Sequence, residues 1–553
     1  GAVSAGAYTA GVVDYLIEAL EEWQNRKDTG VPDTPTHQVE IPVIGGASAG
    51  GMTGVVVASA IQDKIVPVRK LEGNIMAPNP NNKFYHSWVD LVGDKMLNVL
   101  LDTNDISKNG LQSVLNSEFI DQIADRAIKA SDEPAIHRRY IPDDLKLFVT
   151  LSNLEGMEFT TTFRSNTPKW NRYIVISHND YACFKLAEEE SDYSNDGWIP
   201  LNFKSYLNTQ LAKDAAMATG AFPVGLKARK ISRNIRYMND LDWFKHITKD
   251  ARNPFTINPY DTVNVDGGMI NNEPFDKVME LLLGGAITPE KLKIIHDYNK
   301  FTSTVLMIDP FPSATDDDMD DAVLDEEKND DKNSTLTTII SRTLGAMVSQ
   351  SRIKTSVLID AMDSDKAGQY LIAPTRYENI DGTEVAVEGG KAIACGSLSG
   401  FSGFINKEFR IHDYFLGRAN CEKFLRDHFT VPSDTTNEIF VNGYAGIADK
   451  ERFTSKTDGG LQIIPIFTPM QPQPYMPRFS NNQVWPSVTI ADIKSYRKMI
   501  KARVKKVLFS IADYSTIQRF LLWIGAKVVL NGRIADAVIN TVVDSLEEHK
   551  LLR

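Results

Sequence analysis

Residues 42–54 read PVIGGASAGGMTG, a short apolar run followed by a serine set among small residues. Five of the ten residues 45–54 are glycine, in a chain that has 35 glycines among 553 residues. The next residues, MTGVVVASAIQ, are apolar at helical spacing. Gly50, Gly51 and Gly54 therefore fall in the first turns of a helix, where each costs roughly 1 kcal/mol relative to alanine. Bare backbone is expected to be needed there. A strand turning sharply into a helix, with Ser48 on the turn, has that need, and Gly46-Ala47-Ser48-Ala49-Gly50 carries the G-x-S-x-G spacing of a nucleophile elbow. The same pentapeptide also marks tight turns that do no chemistry. A serine hydroxyl becomes a nucleophile only when a base takes its proton and fixed donors stabilise the oxyanion, so the rest of the chain has to supply both.

Outward from the elbow, strand-like and helix-like stretches alternate. IPVIGG reads as strand and AGGMTGVVVASAIQD as helix; HSWVDLVGDKMLNVLL and LQSVLNSEFIDQIADRAIKA read as two more helices. LKLFVTLSNLEG and RYIVIS return to strand composition, and FKSYLNTQLAKDAAMATGAFPVG is an alanine-rich helix stopped by glycine and proline. DTVNVDGGMINNEPFDKVMELLL then gives strand, turn and helix, before a further strand in TSTVLMIDP. This alternation predicts an α/β fold with a mainly parallel central sheet between helices, and ligands at the carboxyl ends of the strands. Ser48 and Asp266 both follow strand ends. Past residue 312 the texture changes: residues 313–334 carry ten acids against two lysines and read as a solvated acidic loop, without the order of a calcium loop. Residues 335–430 read as a helical extension packing on the first domain, 1–312. Residues 431–553 read as a C-terminal helical region, within which a proline-rich linker, IIPIFTPMQPQPYMPRFSNNQ, sets off a final helical piece of roughly seventy residues.

The formal charge of −12 and the pI near 5.4 argue against a nucleic-acid partner, because phosphate binding needs clustered basic residues and here they are scattered. The three cysteines, Cys183, Cys395 and Cys421, fit neither a disulfide framework nor a zinc spacing and read as buried thiols. No metal or other cofactor is expected. No apolar run reaches the ~18 residues of a membrane-spanning helix; the best, FLLWIGAKVVL, contains a lysine. The chain opens directly into GAVSAGAYTAGVVDYLIEALEEW, a glycine-bearing loop running into a helix. Such a loop ordinarily follows a strand, so the natural N-terminus is expected to lie upstream, and a signal peptide and the compartment are left open.

The base and the donors have candidates. Asp266 stands in VNVDGGMINNEP at a strand end, before Gly267 and Gly268, which let other backbone approach; D-G is also a common turn pair. The loop GAVSAGAY precedes a helix, so its amides and the positive end of the helix dipole can converge on one point. In their order along the chain, GAVSAGAYTAGV, GGASAGG, AAMATGAFPVGL and VDGGMINNEP resemble the patatin-like phospholipase family over residues 1 to about 310. GSLSGFSGFINKEFRIHDYFLGRANCEKFLRDHF is similar to the C-terminal extension of large bacterial patatin-related proteins, which carries the resemblance to about residue 430.

The resemblance implies a three-layer α/β fold and a Ser48–Asp266 dyad with no histidine. Ser48 would attack a lipid ester and Asp266 would move the proton, through an acyl-enzyme, with the backbone amides of Gly1, Ala2 and Val3 as the oxyanion hole. A carboxylate near its reference pKa of ~3.9 is a weak base, so desolvation is expected to raise that of Asp266. The chain departs from the family loop, usually G-G-G-x-[RK]-G, by reading Gly-Ala-Val-Ser-Ala-Gly. Val3 tolerates positive φ poorly, so either this loop takes another path or the hole is weaker.

Two other readings stay open at this stage: a Ser-His-Asp esterase using His296, His412 or His428, and a lipid-binding protein with little or no activity on the same fold. Two segments are candidates for peripheral membrane contact. In IKSYRKMIKARVKKVLFSI a stripe of Tyr496, Met499, Ile500, Val504, Val507 and Leu508 is flanked by Arg497, Lys498, Lys501, Arg503, Lys505 and Lys506; the favoured reading packs that stripe on its own domain. In MAPNPNNKFYHSW, Phe84, Tyr85 and Trp88 either dip into lipid or anchor the next helix. The identity of the ester and the oligomeric state are not readable.

Overall fold

The structure, a computed structural model, describes residues 3–164, 172–250, 252–312, 368–470, 474–510 and 532–553. Gly1 and Ala2, the acidic run 313–334, the first part of the expected extension (335–367) and the stretch FLLWIGAKVVL lie outside the described residues.

The central sheet holds β1 (Val43–Gly46), β2 (Lys146–Thr162), β3 (Arg172–Leu186), β4 (Ile199–Leu201), β5 (Arg229–Arg233) and β6 (Tyr260–Asp266). Its order is β4-β3-β2-β6-β5, with β1 also paired to β2. The expected mainly parallel sheet is not what forms. β1–β2 and β3–β4 are parallel, whereas β2–β3, β2–β6 and β5–β6 are antiparallel, so the sheet is mixed. The reason lies in β2 and β3, which read as two separate strands but form one long hairpin from Lys146↔Lys185 to Thr162↔Arg172. Consecutive strands without a crossover helix between them can pair only antiparallel.

Side chains of β2 alternate between two cores, as a strand's period of two requires. Leu147, Val149 and Leu151 meet helices α2 (Ser48–Ala60) and α4 (Thr209–Thr219) through Val55, Ala58, Ala212, Ala215 and Ala218. Phe148 faces the opposite way, onto Met238, Leu241, Phe244 and Ile247. The alanine-rich composition of α4 lets its backbone lie close to the strands. Further elements used below are α1 (Gly6–Asp28), α3 (Glu118–Ile128), α5 (Phe275–Leu282), α6 (Lys407–Asp427), α7 (Arg497–Ser510) and α8 (Arg533–Glu548).

After α5 the chain forms β7 (Val305–Ile308), which pairs in parallel with β8 (Gln369–Ile372), and then the hairpin β9 (Thr375–Ile380) and β10 (Thr383–Glu388). The described part of the expected helical extension therefore opens with strands before it reaches α6. That helix crosses α1 in backbone contact. A Cβ on Gly11 would strike the Tyr414 carbonyl, and one on Gly417 would strike the Tyr8 carbonyl. Beside the crossing the buried Arg418 binds Asp14 and Glu18. Burial opposes the guanidinium charge there, and the two carboxylates overcome it, raising its pKa above the ordinary value. Buried residues from Ala5 in the N-terminal part to Leu551 near the chain's end belong to one apolar core, so the extension is built into the N-terminal half.

The apolar stripe of α7 turns inward. Ile500 and Val507 are buried against the molecule, and Lys501 and Lys505 are exposed. Arg503, expected among the flanking charges, is 2 % exposed and donates to the Asp105 carboxylate at 2.9 Å and to the Val114 and Ser113 carbonyls at 2.7 and 3.0 Å. Phe84, Tyr85 and Trp88 are likewise buried and anchor the segment. Among the described residues no helix is long and apolar enough to cross a membrane.

Candidate active site

The register of β2 explains how residues 218 positions apart meet. β1 and β6 lie along the same edge of β2 but run in opposite senses, so their carboxyl ends point at each other. Gly46 sits opposite Val149 and Asp266 opposite Leu151, two residues further along. The two chains turn away from the sheet in the gap between, at Ser48 and at Gly267.

Ser48 adopts φ 71°, a left-handed conformation that projects its hydroxyl from the strand-to-helix turn. Its N–H donates to Thr219 Oγ1 at 3.0 Å, tying the elbow to the end of α4. The elbow glycines divide. A Cβ on Gly46 would come 2.6 Å from the Gly50 carbonyl carbon and 2.7 Å from the Gly51 nitrogen, and one on Gly51 would lie 2.9 Å from Thr219 Cγ2. A Cβ on Gly50 would meet nothing within 4 Å. Bare backbone is thus required at Gly46 and Gly51, whereas at Gly50 only the motif asks for it.

Ser48 Oγ donates to Asp266 Oδ2 at 2.6 Å, with both residues buried. The other carboxylate oxygen, Oδ1, accepts the Gly268 N–H at 2.8 Å, and the Asp266 carbonyl accepts from Ser152 Oγ at 2.8 Å. The Asp266 N–H donates to the Ala221 carbonyl at 2.9 Å. Gly267 packs so closely on the Thr150 carbonyl that no side chain fits, which gives the D-G-G turn a steric reason. A carboxylate held by one amide and one hydroxyl in a fixed rotamer is oriented to accept that hydroxyl's proton.

A cavity of about 80 Å³ opens at Ser48 and runs into the interior between α2, α3, α4 and the 86–91 segment. Its walls are almost wholly apolar, including Met52, Val56, Trp88, Ile123, Met217 and Phe404. None of the nine histidines lines it. His412 is buried elsewhere, its Nδ1 2.8 Å from Asp413 Oδ1 and its ring edge-on to Trp485, in the structural cluster of Asp413 and its neighbours. Among the described residues no group of His, Cys, Asp or Glu has the arrangement of a metal site. Cys183, Cys395 and Cys421 are buried free thiols, and burial pushes all three up.

Of the three expected oxyanion donors, Gly1, Ala2 and Val3, only Val3 is described. It takes φ 35°, a strained conformation for a β-branched residue, and lines the cavity beside Ser48. The next residue shows what holds it. Ser4 Oγ donates to the Gly400 carbonyl and accepts the Gly403 N–H at 3.1 Å, so the extension braces this loop. The motif reading did not single out Thr219 or the apolar wall. The helical spacing of AAMAT was the signal for Thr219; the wall combines residues too far apart in sequence to leave one.

The mixed sheet, the left-handed serine at a strand-to-helix turn and the buried carboxylate against it define an α/β protein with a serine–carboxylate site. A family model described as patatin-like phospholipase matches residues 1–279, and the chain belongs to that family. Among curated proteins, "Uncharacterized protein y4iI" of Sinorhizobium fredii is 27% identical, covering 99% of this chain and 80% of its own length. No solved structure matches the chain.

Proposed function

We propose that this protein is a lipid acyl hydrolase that cleaves carboxylic esters of phospholipids, lysophospholipids or related lipids through Ser48 and Asp266. The observation that carries the reading is the 2.6 Å contact between the Ser48 hydroxyl and the Asp266 carboxylate at the mouth of an apolar cavity. Ser48 Oγ bonds to the ester carbonyl carbon as its proton passes to Asp266 Oδ2, and the carbonyl electron pair moves onto oxygen. Amides of Gly1, Ala2 and Val3, together with that of Ala49 immediately after the nucleophile, stabilise this oxyanion. Collapse breaks the bond to the leaving alkoxide, which takes the proton from Asp266. Water then gives a proton to Asp266 and attacks the acyl carbon; Ser48 leaves and recovers the proton. The apolar cavity receives the acyl chain, whose burial contributes about 0.8 kcal/mol per methylene.

In this reading residues 1–312 are the catalytic domain, Gly46 and Gly267 serve the backbone path, and the extension from residue 368 to 430 holds the oxyanion loop. The test is a panel of esters, from short p-nitrophenyl esters to phosphatidylcholine, with wild type beside Ser48→Ala and Asp266→Asn. Both variants are expected to lose activity by about 10⁴-fold or more, and a fluorophosphonate to label Ser48. Activity that survives both changes would overturn the assignment, and a wild type that neither hydrolyses esters nor takes the label would leave lipid binding as the function.

A further inference from the structure

A second cavity, of about 740 Å³, adjoins the apolar one, and Ser87 and Ala127 line both. Helices α2 and α3 run from one to the other. Ser48, Met52, Val55 and Val56 of α2 wall the first cavity, whereas Ala60 at the helix end, and Asp63 and Lys64 beyond it, wall the second. At 1.5 Å per residue the length of α2 sets the second cavity about 18 Å from Ser48, the reach of a long acyl chain. The two differ in kind. The second carries Lys64, Lys83, Arg126 and Lys129 against Asp63 and Glu133, in a chain of net charge −12. Asp63 is already held by Lys83 at 2.9 Å, by Lys204 and by Ser131, whereas Lys64, Arg126 and Lys129 form no ion pair among the described residues. Arg126 donates to the His86 and Leu91 carbonyls at 2.9 and 2.8 Å, and its buried Nε has no hydrogen-bond partner. Burial, partly offset by Asp90, holds its pKa below the ordinary value. The carboxyl ends of α2 and α3 bring about one negative charge between them, less than the cations leave over.

A cationic pocket at one end of an apolar cavity fits an anionic head on a single apolar chain. A fatty acid has that form, and its orientation follows from charge. With its head beside Ser48 it would set one carboxylate against that of Asp266 among apolar walls, where like charges repel strongly. Turned round, it brings the carboxylate to Lys64, Arg126 and Lys129. We propose that the second cavity binds the carboxylate of a free long-chain fatty acid whose tail passes between Ser87 and Ala127 into the apolar cavity, with its methyl end toward Ser48. The binding stands on the two cavities and their charges. That the bound acid is the protein's own product, closing the site to further ester, rests on the hydrolase reading.

The experiment titrates the full chain with myristate and with myristyl alcohol by calorimetry, below the concentrations at which either aggregates. Myristate is expected to bind at least about tenfold more tightly than the alcohol. Arg126→Gln, and separately Lys64→Ala with Lys129→Ala, are each expected to weaken myristate about tenfold and to leave the alcohol unchanged. Both lysines are exposed, so the second variant tests the charge with the fold intact. Myristate carrying a diazirine at its methyl end is expected to label residues 48–56, with α8, which lines neither cavity, as the unlabelled control. Equal affinity for acid and alcohol, affinity for the acid unchanged in the lysine variant, labelling at residues 60–65 in place of 48–56, or inorganic phosphate binding as tightly as myristate would each overturn the proposal. Ester assays on the same proteins separate the readings. Charge-dependent myristate binding without hydrolysis keeps the pocket and rejects the hydrolase; Ser48-dependent hydrolysis without such binding does the reverse.

Discussion

At the elbow, Gly46 and Gly51 let a strand end and the first turn of α2 lie against each other and against Thr219; where α1 crosses α6, Gly11 and Gly417 let two helix backbones touch. The chemistry of the residue is the same, but the consequences differ. The elbow glycines act within a few residues, on the angle at which one hydroxyl is presented. The crossing glycines act between positions about four hundred residues apart and decide whether the extension reaches the loop beside Ser48. Losing an elbow glycine should therefore cost activity out of proportion to stability, and losing a crossing glycine should cost stability first.

The largest effect that would break this comparison is at Gly46. Gly46→Ala drives a methyl into the Gly50–Gly51 backbone and is expected to displace the hydroxyl enough to lower kcat/KM by about 10²-fold, a larger loss than its accompanying cost in stability explains. Equal losses of melting temperature and activity would mean that the elbow is a structural element first. At the crossing, Gly417→Ala is expected to reduce stability by about 3 kcal/mol in denaturant titration, since the clash is with the backbone carbonyl of Tyr8 and no side chain can give way.

His37 sharpens the other side of the comparison, where residues far apart in sequence pack together. It is buried between Trp23 and Phe440, its Nε2–H donates to the Ile463 carbonyl at 2.9 Å, and its pKa is lowered to about 4, chiefly by burial. The unfolded imidazole titrates near ~6.5, so between that pH and about 4 the unfolded chain binds a proton that the folded one refuses. Stability is accordingly full above pH ~6.5 and falls as the pH drops toward 4, by on the order of 3 kcal/mol. Thermal melts across this range should show the loss in wild type and a smaller one in His37→Gln.

Two smaller effects belong to the elbow. Thr219→Val removes the acceptor of the Ser48 N–H and is expected to cost about 1 kcal/mol, with kcat reduced more than KM is raised. Gly50→Ala, although inside the motif, meets open space and is expected to be neutral or to stabilise α2 by up to about 1 kcal/mol with activity retained. A loss at Gly50 as large as that at Gly46 would show that the motif, rather than the steric environment, sets the requirement.

Ser48 and Asp266 were readable because each sits in a short run whose composition makes no local sense otherwise. Glycines in a helix start and a D-G-G after a strand both carry a local penalty that only a special backbone path explains. The pairing of β2 with β3 was not readable, because residues 146–186 show strand composition on both sides of a loop and nothing in that composition states which neighbour each strand takes. The inward turn of Arg503 was hidden for a related reason: an arginine beside an apolar stripe looks the same whether it meets solvent or the Asp105 carboxylate and the carbonyls at 113 and 114.

What the sequence by itself determined is the set of backbone conformations its small residues permit: a strand-to-helix turn with a serine on it, an acidic turn after a strand, a glycine-bearing loop before a helix. Those are local matters, governed by φ, ψ and side-chain volume within a few residues. The tertiary structure alone decided that β1 and β6 approach along one edge of β2 with their carboxyl ends opposed, placing the hydroxyl and the carboxylate 2.6 Å apart. Strand register and helix crossings are set by the burial of surfaces distant in sequence, and that energy belongs to the assembled chain.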